Sequence, residues 1–120
     1  MQTPLAATES LTGPIHICGN TASFDNVIRS HRAVVAIFTN VHTCPPCRAI
    51  APIYEQLAAE KGPKMQADGG RTGAVFVKVD MSTSGGQQVA QDWRVTVMPT
   101  FKFFLDGKQV RVFISHYTYA

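Results

Sequence analysis

The sequence has few cysteines, no long apolar run and no recognisable export signal, and each shortage excludes a class of protein. Three cysteines among 120 residues are too few, and odd in number, for the disulfide framework of a small secreted fold. No stretch approaches the roughly 20 apolar residues of a membrane-spanning helix, and the N-terminus lacks the basic start and apolar segment of a signal peptide. A protein of a reducing compartment is expected, the cytoplasm first and the nucleus as an alternative.

Concentrated positive charge is also missing. The formal net charge is +3, and it arises from scattered lysines and arginines. Nucleic acid and anionic membranes are usually bound by runs or patches of basic residues, so neither is predicted as a partner. The 45% of hydrophobic residues are enough for one compact core, which argues against a disordered chain.

The N-terminal segment differs in composition from the rest. Its first 14 residues are rich in Thr, Ser, Ala and Pro, which is typical of linkers and tails. We therefore predict a linker or disordered tail over residues 1–14 and one domain over residues 15–120. Because such segments join domains, a piece of a larger protein is one interpretation of this chain.

The remaining sequence alternates between strand-like and helix-like patterns, which predicts an α/β fold with a central mixed sheet flanked by helices. Apolar residues at helical spacing predict the helices, with Ser23 as the N-cap of the first. The Asp106–Gly107 pair predicts the turn of an antiparallel hairpin. The predicted strands are 15–18, 33–38, 74–80, 100–105 and 108–114, the predicted helices are 21–31, the segment from the cysteine pair to Gly62, and 85–93, and residues 62–73 are predicted to form a surface loop.

Cys44 and Cys47 enclose two prolines at the start of the second predicted helix. Cysteines at i and i+3 of a first helical turn are within reach of a disulfide. The helix dipole favours a thiolate at Cys44, which is the predicted nucleophile, and Cys47, one turn deeper, is the predicted resolving thiol. Pro45 and Pro46 suit the first helical positions, and they leave the Cys47 amide as the main donor to the Cys44 sulfur.

Several motifs in a fixed order resemble the thioredoxin family over roughly residues 15–114. They are the apolar strand, the Cys-x-x-Cys helix with Pro52 five residues after the second cysteine, FVKVD, and VMPTFKFFLDGK. The resemblance implies a thioredoxin-like fold and disulfide exchange with protein substrates, with the dithiol as the only redox group. It also implies an electron donor such as a thioredoxin reductase or glutathione.

The same resemblance implies a substrate groove. In the family the proline of the MPT stretch, here Pro99, is cis and faces the cysteines. Met98, Pro99 and Thr100 are therefore expected to bind substrate, and Trp93, just upstream, to border the groove.

The sequence departs from the family pattern next to the motif. Thr43 stands where a Trp usually precedes the first cysteine, and the strand 33–38 lacks the usual buried carboxylate that serves the second cysteine. An Asp placed at Ala36 is therefore expected to raise turnover. His42 is a candidate for tuning, since an imidazolium would favour the Cys44 thiolate, although an ordinary loop histidine is the alternative.

The C-terminus also departs from the family, because the chain ends in ISHYTYA where related domains continue with a helix. The C-terminal helix is expected to be missing, which would leave a sheet face around Phe101 and Phe103 uncovered and the domain marginally stable.

Three hypotheses stay open: an oxidoreductase, a peptide-binding module with vestigial thiols, and a truncated chain that folds poorly alone. Zinc binding is not predicted, because Cys18 and the histidines outside the motif are scattered. Cys18 itself is expected to be a buried small hydrophobe. The segment of residues 1–14 and the FTNVHTCPPC sequence also resemble thioredoxin-like domains within larger proteins that carry PPPDE peptidase and PUL modules.

Overall fold

A computed structural model describes residues 14–65 and 71–114 of the chain. The predicted linker, apart from Pro14, and the last six residues lie outside this range, so the division into tail and domain stays a prediction. The elements in chain order are β1 (Ile15–Ile17), α1 (Thr21–Ser30), β2 (Ala33–Thr39), α2 (Pro45–Lys61), β3 (Lys64–Met65), β4 (Arg71–Thr72), β5 (Val75–Asp80), α3 (Ser84–Asp92), β6 (Thr100–Leu105) and β7 (Lys108–Ile114).

Five strands form the central sheet in the order β1-β5-β2-β6-β7. The first three strands of this order run parallel to one another, and β6 and β7 are antiparallel to their neighbours. This is the mixed sheet that the sequence predicts, including the hairpin bounds on both sides of Asp106 and Gly107.

Two details of the prediction are wrong. Residues 62–73 are not a loop throughout, because β3 and β4 pair as a short antiparallel ladder. The N-cap of α1 is Asn20, whose side chain accepts a hydrogen bond of 2.8 Å from the backbone N–H of Ser23. Asn and Ser are both good capping residues, and Asn20 takes the role because the helix begins at Thr21.

The core consists of two apolar clusters, one on each face of the sheet. On one face, Phe24 of α1 and Val89 of α3 pack against Phe38, Val77 and neighbouring residues. On the other face, Tyr54 and Ala58 of α2 pack against Ile15, Ile37 and Phe76. Helix α2 therefore lies alone on its face among the described residues, and it carries the second cysteine of the motif.

Strand β7 is exposed along its whole length. Beside it, on the α2 face, a cavity of about 430 Å³ is lined by apolar side chains that include Leu57, Phe101, Phe103 and Phe113. No fourth helix covers this cavity within the ranges that the structure describes. None of the helices in those ranges combines the length and the hydropathy needed to cross a bilayer.

Candidate active site

The cysteine pair lies at the start of α2, the helix that follows β2. Cys44 is the N-cap of α2, and Cys47 lies in its first turn. The two residues are joined by a disulfide with their Cα atoms 5.2 Å apart, and both side chains are fully buried. The i, i+3 spacing therefore forms the bond that the sequence predicts.

The sulfur of Cys44 is held by the start of the helix. The backbone N–H of Cys47 donates to Sγ of Cys44 across 3.2 Å. Pro45 and Pro46 occupy the first helical positions and have no N–H, so the Cys47 amide is the first one of the helix that can reach this sulfur. An amide donor and the positive end of a helix dipole both favour a thiolate over a thiol.

A compact turn of residues 40–43 precedes Cys44. The side-chain oxygen of Asn40 accepts a hydrogen bond from the backbone N–H of His42 at 3.0 Å. The backbone carbonyl of Asn40 accepts another from the backbone N–H of Cys44 at 3.0 Å. The guanidinium of Arg48 donates to the carbonyl of Val41 at 3.0 Å. Neither Asn40 nor Arg48 is predicted from the sequence, although Asn is a common turn residue. His42 is exposed on this turn.

The expected substrate segment lies at the same end of the sheet. The Met98–Pro99 peptide bond is cis, as the resemblance implies. Thr100 pairs with Phe38 across β6 and β2, which places the residues just before Thr100 beside the turn that leads to Cys44. The hydroxyl of Thr100 donates to the carbonyl of Val97 at 2.8 Å and so fixes the bend around Pro99.

Trp93 packs against the core cluster beneath α1 and α3, on the face of the sheet opposite α2. Its indole N–H donates to the Asp25 carboxylate at 3.1 Å, and its ring packs edge-on against Phe24 and Phe104. Through these contacts Trp93 connects α1, α3 and the sheet. A role for Trp93 at the substrate groove stays a prediction.

The position proposed for a missing carboxylate is wrong. Ala36 lies in the cluster beneath α1 and α3, on the far side of the sheet from α2. Ile37 belongs to the cluster beneath α2, because successive residues of a strand point to opposite faces. Ile37, not Ala36, is therefore the residue of this strand that faces the helix of Cys47.

Tyr54 anchors α2 to the sheet. Its hydroxyl donates to the carbonyl of Val77 at 2.7 Å and also lies 2.9 Å from the carbonyl of Val35. Burial raises the pKa of Tyr54 far above its ordinary value, so the phenol stays protonated and serves as a donor. No sequence pattern predicts these two hydrogen-bond partners of the Tyr54 hydroxyl.

The described residues contain no cluster of three or more His, Cys, Asp or Glu side chains that could hold a metal ion. Cys18 is buried and outside any disulfide, as expected, and it belongs to the cluster beneath α1 and α3.

Comparison with known proteins agrees with this geometry. The model of the thioredoxin family matches residues 16–118. A thioredoxin of Neurospora crassa is 41% identical over 101 residues, which cover 83% of this chain and 70% of that protein. The solved structure of Fasciola hepatica thioredoxin is 33% identical, with a TM-score of 0.65 over 82% of this chain and 84% of that one.

One relative is matched over a shorter segment, which covers only part of its length. A thioredoxin-like protein of Fusarium culmorum is 46% identical over 70 residues, which cover 58% of this chain and 50% of that protein. The match therefore spans half the length of this relative. The Fasciola hepatica thioredoxin, in contrast, is similar to this chain in both sequence and fold over 82% of this chain.

Proposed function

The chain belongs to the thioredoxin family, and we propose that it is a thiol-disulfide oxidoreductase that reduces and exchanges disulfides of protein substrates through Cys44 and Cys47. The observation that carries the proposal is the disulfide between these residues at the N-terminus of α2. A dithiol that closes to a disulfide within one helical turn can donate an electron pair, and the disulfide can accept a pair again, without another redox group.

The reaction has two steps. The Cys44 thiolate attacks one sulfur of a substrate disulfide, forms a mixed disulfide and releases the first substrate thiolate. Cys47 then attacks the Cys44 sulfur, which closes the Cys44–Cys47 bond and releases the second substrate thiolate. The substrate disulfide is reduced as the protein dithiol is oxidised. The amide of Cys47, 3.2 Å from the Cys44 sulfur, supports the nucleophile in the first step.

The proposed substrate site is the bend at Met98, Pro99 and Thr100. Its position beside the turn before Cys44 supports this, because an extended peptide can pair with backbone at such a bend, and Met98 is half-buried there while Pro99 and Thr100 are buried. His42 is the neighbouring charged or polar group that would tune the Cys44 thiolate, together with Pro45 and Pro46, which remove two competing amides.

The family implies protein substrates and a reductase in general terms. For this chain we propose a thioredoxin reductase or glutathione as the electron donor, and the cytoplasm or the nucleus as the compartment. Either donor would return the Cys44–Cys47 disulfide to the dithiol by the reverse exchange.

Reduction of insulin by dithiothreitol tests the proposal. We expect the wild-type chain to accelerate the reaction and Cys44→Ser to abolish the acceleration. Cys18→Ser is the matched control, because Cys18 is also a buried cysteine but lies in the opposite core cluster, and it should keep the activity. A wild-type chain without activity that still binds peptides would instead support the peptide-binding module.

A further inference from the structure

Strand β7 is the outermost strand on its side of the central sheet, and it is exposed from Lys108 to Ile114. Along the outer side of such a strand, the N–H and C=O groups of alternate residues point away from the sheet. These groups form a template on which another strand can pair. The backbone of β7 can therefore extend the sheet by one more strand.

The second half of β7 has little of the protection that edge strands usually carry. Natural edge strands are protected by charges, prolines or bulges. Residues 110–114 read VRVFI, with Arg111 as the one charge and no proline. The bulge lies beside Phe103 and Phe104, so residues 111–114 pair with β6 in regular register. This half of the strand is therefore open to pairing.

The same half of β7 exposes apolar side chains. The exposed fractions are 56% for Val110, 39% for Val112, 60% for Phe113 and 50% for Ile114. Phe113 and Ile114 also line the cavity of about 430 Å³ on the α2 face. Contiguous exposed apolar surface is typical of protein–protein contacts. The open backbone and the apolar side chains together indicate a strand from another chain as the occupant.

The sequence of β7 is complementary to itself in one register. In a twofold-symmetric antiparallel pair, directly opposed residues lie on the same face of the sheet, so their numbers are both odd or both even. With Val112 on the axis, Arg111 lies opposite the partner's Phe113, and Val110 lies opposite the partner's Ile114. Each guanidinium is then within reach of an aromatic ring, which is a favourable contact, and the other opposed pairs are apolar.

The neighbouring registers are less favourable. With Arg111 on the axis, two like charges are directly opposed, which is destabilising. With Phe113 on the axis, the pair contains only residues 112–114 of each β7. With Val110 on the axis, Lys108 lies opposite Val112, and Phe113 extends past the end of the partner's strand. Charge and apolar contact therefore select the register centred on Val112.

We propose that the chain forms a symmetric dimer by antiparallel pairing of two β7 strands with Val112 on the twofold axis. The two sheets join into one, and both cavities lie on the same face of it. The two Phe113 rings are diagonal neighbours between the cavities, at a spacing that aromatic side chains can bridge. The partner is thus a second copy of this chain, and the surface is separate from the disulfide site of the proposed function.

The arrangement keeps the two cysteine pairs apart. Ile114 pairs with Thr100, so β7 ends at the edge of the sheet where the cysteine pair lies. Antiparallel pairing then places the two active sites at opposite ends of the joined sheet. The contact is smaller than the roughly 20–30 residues per side of a standard interface, so we expect a dissociation constant on the order of 100 μM. At low micromolar concentration the chain is mostly monomeric and the cavity is open.

Sedimentation equilibrium of the full, reduced chain from about 10 μM to about 1 mM tests the dimer. The average mass should rise from monomer toward dimer over this range. Phe113→Ser should weaken the association at least tenfold, and it should fold because Phe113 is exposed. Ile53→Ser is the matched control, because Ile53 is 51% exposed but lies on α2, and it should leave the association unchanged.

Oxidative cross-linking tests the register. Val112→Cys is made in a Cys44→Ser, Cys47→Ser chain and oxidised with copper–phenanthroline, which takes two electrons from the two thiols as the disulfide forms. Opposed residues lie about 4.5–5.5 Å apart, within disulfide reach. In the control Arg111→Cys, the two introduced thiols are on diagonal positions about 7–8 Å apart. The cross-link at position 112 should form at least tenfold faster than the one at position 111.

A chain that stays monomeric up to about 1 mM would overturn the proposal and would leave the cavity to residues outside the described ranges or to another protein. A dimer that is equally tight in Phe113→Ser would overturn it as well. A cross-link that forms as fast at position 111 as at position 112 would refute pairing centred on Val112. Each of these results leaves the proposed function intact, because none of them depends on Cys44 or Cys47.

Discussion

The backbone N–H of Cys47 points at the sulfur of Cys44 across 3.2 Å, so the residue that resolves the mixed disulfide also stabilises the nucleophile. The two prolines between them leave no other amide within the first turn to share this task. The reactivity of Cys44 should therefore depend on the start of α2 and differ from that of the other cysteines.

The first prediction concerns the thiols of the reduced protein. The pKa of Cys44 should lie below the ordinary cysteine value of about 8.5 because of the helix dipole and the Cys47 amide. Iodoacetamide labelling followed by mass spectrometry across pH should show Cys44 reacting faster than Cys47 and Cys18 near neutral pH. Equal rates for Cys44 and Cys18 would contradict the account.

A carboxylate introduced on the correct face of β2 should raise turnover. Ile37→Asp places an acid beneath α2, whereas Ala36→Asp places it among the apolar residues beneath α1 and α3. Both changes should lower the free energy of unfolding by several kcal/mol, because each buries an ionisable group. Insulin turnover at a temperature where both are folded should rise in Ile37→Asp only, and a rise in Ala36→Asp instead would show that the faces are assigned wrongly.

The buried Lys102 should make stability depend on pH in the alkaline range. Its ammonium donates to Gln109 at 2.7 Å and lies 5.9 Å from the ring centroid of Trp93, and burial lowers the pKa of Lys102 from its ordinary 10.5. Between the lowered pKa of Lys102 in the folded protein and the ordinary 10.5 of the unfolded chain, the folded protein binds fewer protons than the unfolded chain. The free energy of unfolding therefore rises with pH through that window toward 10.5.

Lys102→Met should remove this contribution, and at neutral pH it should be as stable as the wild type or more stable by about 1 kcal/mol. Denaturant unfolding across pH measures the difference, with Lys108→Met on the exposed β7 as the control. A difference between wild type and Lys102→Met that does not change up to pH 10.5 would refute the assignment.

The open apolar cavity beside β7 should bind a hydrophobic dye. Phe113 is 60% exposed and lines this cavity, and exposed apolar patches of this kind are typical binding surfaces. The fluorescence of 1-anilinonaphthalene-8-sulfonate should increase with the wild-type chain and fall by at least half in Phe113→Ser. Val110→Ser changes an exposed residue of the same strand outside the cavity lining and should have little effect; an equal loss in both variants would place the dye elsewhere.

The sequence predicts the fold where a local pattern is strong. The hairpin of β6 and β7 is correct to the residue because the Asp106–Gly107 turn has a characteristic composition and long strands flank it. The cysteine spacing likewise predicts a disulfide at the start of a helix. Strands β3 and β4 have two residues each, which is too short to show any alternation.

The remaining features depend on which residues meet in three dimensions. Strand β2 is apolar on both faces, so its sequence has no alternation to tell Ala36 from Ile37, and the position predicted for the carboxylate, Ala36, is wrong. The contacts of Arg48 with the turn before Cys44 and of Tyr54 with the sheet also have no sequence pattern.

The most direct test of the central claim is the mixed disulfide that the reaction requires. Cys47→Ser cannot complete the second step, so after incubation with a disulfide-containing protein such as oxidised insulin it should carry a covalent insulin chain on Cys44, identified by mass spectrometry of the digested adduct. Cys44→Ser should trap nothing at residue 47. An adduct that forms equally on Cys18, or no adduct in Cys47→Ser while the wild type reduces insulin, would contradict a mechanism that starts at Cys44.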